Sequence, residues 1–313
     1  MRRSLLYVSL LALAVPMAAS AQIRGAWSAI AKGDRVHLTL TRESSNWGHT
    51  LPRTDFAITE ATMSSATETP VHFAFNRDAG TIDFTGTFQS GEGVGRFSFT
   101  PSRSYLGTLQ SLGVSSDSHI DDDELFSLAM HDVSTAFIRE MQSLGYRENL
   151  DQYVAFRIHG VTTDFVRELR SLGYEKLDAD NLVAFRIHGV TPQFVRDMKA
   201  LGYTVDADDL VAFRIHGVNA EFAKAMRDFG VKDLSADQLV AMRIHGVSTD
   251  FVRELHDLGY TGLSSDDLVA MRIHGVSTRF IRELADAGYH NIPVDKLVEM
   301  KIHGIDAAML RQR

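Results

Sequence analysis

The tetrapeptide Arg-Ile-His-Gly stands at 157–160, 186–189, 214–217, 243–246 and 272–275, and Lys301-Ile302-His303-Gly304 is a sixth copy. Met130-His131-Asp132-Val133 is a degenerate earlier one. The histidines fall at 131, 159, 188, 216, 245, 274 and 303, so every step is 28 or 29 residues. A period this regular implies a tandem array, in which one unit cannot bury its apolar face without a neighbour.

Residues 178–203 show how a unit is built. Leu182, Val183, Phe185 and Ile187 form a first apolar set ending at His188-Gly189. Phe194, Val195, Met198 and Leu201 form a second, spaced i, i+1, i+4, i+7 as one face of a helix. Thr191 is a suitable N-cap with Pro192 at the first helical position, and Gly202 supplies a left-handed stop. The first set starts the same way, with Asp178, Asp206, Ser235 and Ser264 at the cap and Asn181, Asp209, Gln238 and Asp267 three residues on. Each unit therefore reads as two helices of about 10 residues, too short to persist alone in water. Seven such pairs are expected from about Asp121 to Arg313, preceded by a lone second-type helix at Ser104–Leu112 and closed by a polar Arg311-Gln312-Arg313 end.

Residues 22–103 have another period. Val36/Leu38/Leu40, Val71/Phe73/Phe75, Ile82/Phe84/Phe88 and Phe97/Phe99 alternate with polar or small residues, as half-buried strands do. Arg77-Asp78-Ala79-Gly80 and Ser90-Gly91-Glu92-Gly93 read as hairpin links, and Trp27 and Trp47 as core or near-core residues. The fold class expected is α+β and multidomain: a small antiparallel β-sheet or sandwich of five to seven strands at 22–103, then an α-solenoid of paired short helices at 104–313.

Met1-Arg2-Arg3-Ser4, the apolar run Leu5–Val15 and Ala19-Ser20-Ala21 make a secretory signal at 1–21, cleaved after Ala21, with a periplasmic or secreted destination. The chain has no Cys, which excludes disulfides and cysteine nucleophiles. Residues 121–313 hold 31 Asp/Glu against 22 Lys/Arg, which argues against nucleic acid as a partner.

The registered His159, His188, His216, His245 and His274 invite a metal reading. Packed helices lie about 8–10 Å apart, too far for equivalent histidines to share one ion. A site would need carboxylates of the same unit, such as Asp164 beside His159, so no metal and no cofactor is expected. The plainer role is at the helix end, with imidazole N–H groups meeting unpaired carbonyls; a pH-sensing role for the titrating series is an alternative. Arg157, Arg186, Arg214, Arg243 and Arg272 form a second register. Arg167, Arg196, Arg253 and Arg282 form a third, with acids at Glu168, Asp197, Glu254 and Glu283. Ion-pair ladders between stacked units are the expectation for both, and a charged face for a ligand is the sharper reading.

No H-E-x-x-H, G-x-S-x-G or phosphate-loop motif occurs. The Gly-rich 90–95 stretch reads as a turn, and Asp121–Glu124 and Asp206–Asp209 as helix caps rather than calcium loops. The unit at 237–255 and 266–284 resembles a helical repeat of bacterial envelope proteins, similar to arrays appended to membrane-bound sensor peptidases of the antirepressor type. The resemblance covers about 190 residues. It implies the array and an envelope location with a connection to sensing; this chain carries neither the zinc-ligand helix nor the membrane spans of those peptidases. The function expected is non-catalytic binding of a protein or peptide partner in the cell envelope. The alternatives are an envelope enzyme acting on a cell-wall or glycan polymer through the β domain, and a pH or stress sensor.

Overall fold

The computed structural model describes residues 23–43, 45–116, 119–232 and 234–310. The signal peptide expected at 1–21 and the polar end expected at 311–313 lie outside them.

Six antiparallel strands open the described chain: β1 (Ile23–Lys32), β2 (Arg35–Arg42), β3 (Ser45–Pro52), β4 (Thr69–Arg77), β5 (Gly80–Gln89) and β6 (Glu92–Pro101), in the order β3-β2-β1-β6-β5-β4. They form a single sheet rather than a sandwich. Both expected hairpin links are present, Arg77 pairing with Gly80 and Gln89 with Glu92. Period two places Trp27, Leu38, Phe73, Phe84 and Phe97 on one buried face. Trp27 lies where Gly86 and Gly95 face each other across β5 and β6; a Cβ on Gly95 would come within 2.5 Å of the indole nitrogen. That face is covered by the helical turn Arg53–Phe56, by α1 (Glu60–Met63) and by α3 (Asp122–Met130), whose Phe126 stacks on Phe97 at 5.6 Å. Between them runs α2 (Arg103–Ser111), whose Tyr105 hydroxyl donates to the Val133 carbonyl at 2.6 Å. Contacts divide the chain after Ala136, so α2 and α3, written in the grammar of the repeat, pack with the sheet. The boundary at 103/104 marks the change of pattern, and the one at 136/137 the change of packing partner.

The second body runs from Phe137 through the rest of α4 (Thr135–Ser143) and six helix pairs. The pairs are α5 (Leu150–His159) with α6 (Thr163–Ser171), α7 (Ala179–His188) with α8 (Pro192–Ala200), and α9 (Ala207–His216) with α10 (Ala220–Asp228). Then follow α11 (Ala236–Ile244) with α12 (Thr249–Asp257), α13 (Ser265–Ile273) with α14 (Thr278–Asp286), and α15 (Val294–Ile302) with α16 (Ala307–Leu310). Each leading helix packs on the next leading helix and each trailing helix on the next trailing one. The caps are those the residues dictate: Asp178 accepts from Asn181 N at 2.7 Å, Asp206 from Asp209 N at 2.9 Å, and Ser235 and Ser264 close full capping boxes. Gly189 is left-handed at φ 72°, and Val190 N donates to Phe185 O at 2.7 Å.

Candidate functional site

The structure gives each letter of the repeated tetrapeptide a separate task. The arginine is a clamp between units. Arg186 lies over the Phe165 ring at 5.0 Å and its Nε donates to the His159 carbonyl at 3.3 Å, so it holds the turn of the preceding pair from both sides. Arg214 does the same on Phe194 and His188, and Arg243 on Phe222 and His216. Arg157 over Phe137, Arg272 over Phe251 and Lys301 over Phe280 complete the series at 4.9–5.2 Å. A cation on an aromatic face that also satisfies a helix-end carbonyl explains the strict register. The glycine belongs to the same joint. At Gly160 (φ 72°) an added Cβ would stand 3.0 Å from Arg186 Nη2, so the position needs left-handed backbone and no side chain.

Two expectations are thereby corrected. Among the described residues Arg186, Arg214, Arg243 and Arg272 form no ion-pair ladder; each stacks on a phenylalanine instead, and the first three also bond a carbonyl. The helix-end carbonyls of His159, His188 and His216 are met by arginine rather than by imidazole. The imidazoles of His159, His188, His216, His245 and His274 are exposed, with no hydrogen bond or ion pair among the described residues. The ladder expected of the third register is present in part. Arg167 reaches Glu140 at 3.4 Å, Arg196 reaches Glu168 at 3.7 Å and Arg282 reaches Glu254 at 3.1 Å. Arg253 turns to Asp250 of its own helix, because the preceding unit has Ala225 where the others carry an acid.

The isoleucine is the finding that the sequence reading missed. Ile158, Ile187, Ile215, Ile244, Ile273 and Ile302 are 53–59% exposed, whereas Leu182 and Phe185 of the same unit are fully buried. At about 100° per residue, Ile187 points some 200° away from Phe185 and so straight out of the array. Val183 and Ala184, half-buried, flank it on the same helix face, and equivalent pairs recur at Val211-Ala212, Val240-Ala241 and Val269-Ala270. Exposed aspartates stand at the opposite end of each leading helix: Asp151, Asp180, Asp208, Asp237, Asp266 and Asp295. Each leading helix packs on the next from α5 to α15, so these positions follow one another along one side of the array. The result is a stripe of exposed Ile and half-buried Val and Ala, with exposed aspartates at one end of the leading helices and exposed imidazoles at the other.

The sheet offers a second, polar hollow of about 550 Å³ on its uncovered face, lined by Arg24, Asp83, Thr85, Arg96 and Ser98. Ser98 opposes Asp83 across the strands, while His72 opposes Thr85 and lies 3.9 Å from Asp83. The carboxylate, not the imidazole, stands beside the serine, which is the wrong order for a base-activated nucleophile. Among the described residues no three His, Asp or Glu side chains are grouped to hold a metal, and no helix is long and apolar enough to cross a membrane. No protein-family model matches the chain, and no curated protein or solved structure matches it.

Proposed function

We propose that the protein is a non-catalytic binding module of the cell envelope, with the array presenting the exposed face of its leading helices to a protein or peptide partner. One observation carries this reading: six isoleucines are held outward in strict register while Leu150, Leu182, Leu210, Leu239, Leu268 and Leu297 of the same helices are buried. Registered apolar exposure costs solubility and adds nothing to the fold, which is the signature of an interaction surface. The exposed imidazoles beside it, without a hydrogen bond or ion pair among the described residues, support the same assignment. The test is a photo-crosslinking residue placed at Ile215, compared with one at Ser171 on a trailing helix, in the full chain within its own envelope. A discrete, saturable adduct at Ile215 and none at Ser171 is expected. Equal labelling at both positions, or none at either, contradicts the proposal.

A further inference from the structure

We infer that the uncovered face of the sheet binds an acidic sugar, a ligand that carries a carboxylate and free hydroxyls on one ring. Period two buries alternate residues of each strand and leaves the others on this face, where cross-strand register decides which of them meet. Arg24 of β1 opposes Ser98 of β6, and Ser98 opposes Asp83 of β5. In the next row Ala26 opposes Arg96, Arg96 opposes Thr85, and Thr85 opposes His72 of β4. The two arginines are therefore diagonal neighbours on adjacent central strands, about 7–8 Å apart, a separation that long side chains span. Both line the polar hollow of about 550 Å³ together with Asp83, Thr85 and Ser98. That volume lies in the range of small-molecule sites.

The chemistry of the lining selects the ligand. Arg96 is exposed and makes no hydrogen bond or ion pair among the described residues. A guanidinium fork presents paired donors that match a carboxylate, and two forks on one anion attract it more strongly than one. This is a local excess of positive charge in a chain whose formal net charge is −8, so it draws an anion here rather than to the surface at large. Asp83 adds what a simple anion site lacks. Its ion-pair contact is His72, at 3.9 Å, and not Arg96. A carboxylate in the hollow accepts hydroxyl protons and repels a second anion. The Ser98 and Thr85 hydroxyls, without side-chain hydrogen bonds among the described residues, donate or accept. Sulfate offers Asp83 no proton, and a neutral sugar gives the guanidinium groups no charge to meet. A ring with one carboxylate and several hydroxyls answers both. The lining stands on strands rather than loops, and its floor is tight: a Cβ on Gly95 would come within 2.0 Å of the Thr85 carbonyl. Such a floor is set before the ligand arrives.

The experiment uses the full chain and isothermal titration calorimetry with a galacturonate trisaccharide, its neutral galactose counterpart and sulfate. The galacturonate is expected to bind about tenfold or more tightly than either of the others, with an affinity that falls as salt is raised. Arg24→Gln combined with Arg96→Gln should lower that affinity by about tenfold or more, and Arg96→Lys, which keeps the charge but loses the fork, should fall between. Asp83→Asn should weaken the galacturonate severalfold and strengthen sulfate, a split that a merely structural role would not give. Equal binding of the neutral sugar, or galacturonate binding that survives the double arginine variant, overturns the inference. Sulfate as tight as the galacturonate, with no effect of Asp83→Asn, overturns it in favour of a plain anion site. Absence of binding by all three probes overturns it as well. The combined Ile187→Ser, Ile215→Ser and Ile244→Ser variant should leave the titration unchanged, so failure here leaves the array's binding role standing.

Discussion

Phe84 of the sheet touches Phe73, Phe75, Phe97 and Trp27, rings brought together from four strands. Phe213 of the array touches Tyr203, ten residues before it, and the clamps, the tyrosine bonds and the ion pairs of Arg167, Arg196 and Arg282 reach one unit away. The sheet's core is a single shared cluster, whereas the array's is a series of similar joints. The difference teaches where function can be placed. A shared core leaves each strand residue answerable to many others. An array of nearest-neighbour joints fixes each unit with a few residues and releases the remaining positions, so that one can be given to exposed isoleucine in every unit.

The joints are visible individually. Tyr146, Tyr174, Tyr203 and Tyr260 each send a hydroxyl to a carbonyl of the following unit, at Leu177, Val205, Leu234 and Ile292, over 2.7–3.0 Å. Val231 occupies the corresponding place in one unit and cannot do so. There the backbone substitutes: Lys232 N donates to Leu263 O at 3.0 Å and Ser265 N to Lys232 O at 3.2 Å. One unit has exchanged a side-chain joint for a short stretch of parallel pairing.

The comparison breaks most easily through its cores. Trp27→Ala should cost about 3–5 kcal/mol and remove hydrogen-exchange protection across all six strands together. Phe213→Ala should cost a similar amount, but protection should fall chiefly in α7, α9 and α11 and persist in α15. Uniform loss through the array would show that its joints are not local. Tyr203→Phe is a smaller probe. Loss of its bond to Leu234 should lower stability by about 1 kcal/mol, measured by denaturant midpoint at unchanged slope.

Acid and alkali should separate the two bodies further. Burial, with a smaller contribution from His37, holds His49 below the usual histidine range, so the folded sheet favours its neutral form. The unfolded chain then binds more protons, and sheet stability should fall as pH drops through about 6.5, an effect that His49→Gln should reduce. In the array burial raises Tyr146, Tyr174, Tyr203 and Tyr260 above the usual phenol range. Here the unfolded chain loses protons first, so array stability should fall as pH rises beyond about 10. Circular dichroism melts across pH 5–11, following strand and helix bands separately, check both signs.

The chain announces much of this. Period, caps and stops place α2 to α15 almost to the residue, because Asp178, Thr191, Gly189 and Gly202 act locally on their own backbone. Alternation finds β2, β4, β5 and β6. It does not find β1, whose inward positions include Gly25 and Ala29, small residues that carry no apolar signal, nor β3, whose apolar content is little more than Trp47 and Leu51. The isoleucine stripe was half legible. The register of Arg, Ile and His is plain, yet a motif says nothing about which of its letters faces a neighbour. The arginine partners are Phe165 and a backbone carbonyl, and neither belongs to the charge pattern that opposite-sign residues reveal. Angular position does separate Ile187 from Leu182 and Phe185, and it is the signal that assigns the isoleucine to solvent.

The central claim is that the repeated isoleucines serve binding and not folding. Replacing Ile187, Ile215 and Ile244 together by serine, then measuring unfolding free energy and partner crosslinking at Ala184 in the same preparation, tests it most directly. The account predicts a stability change within about 0.5 kcal/mol per site and loss of the adduct. A drop of several kcal/mol, as core isoleucines would give, with the adduct retained, contradicts it.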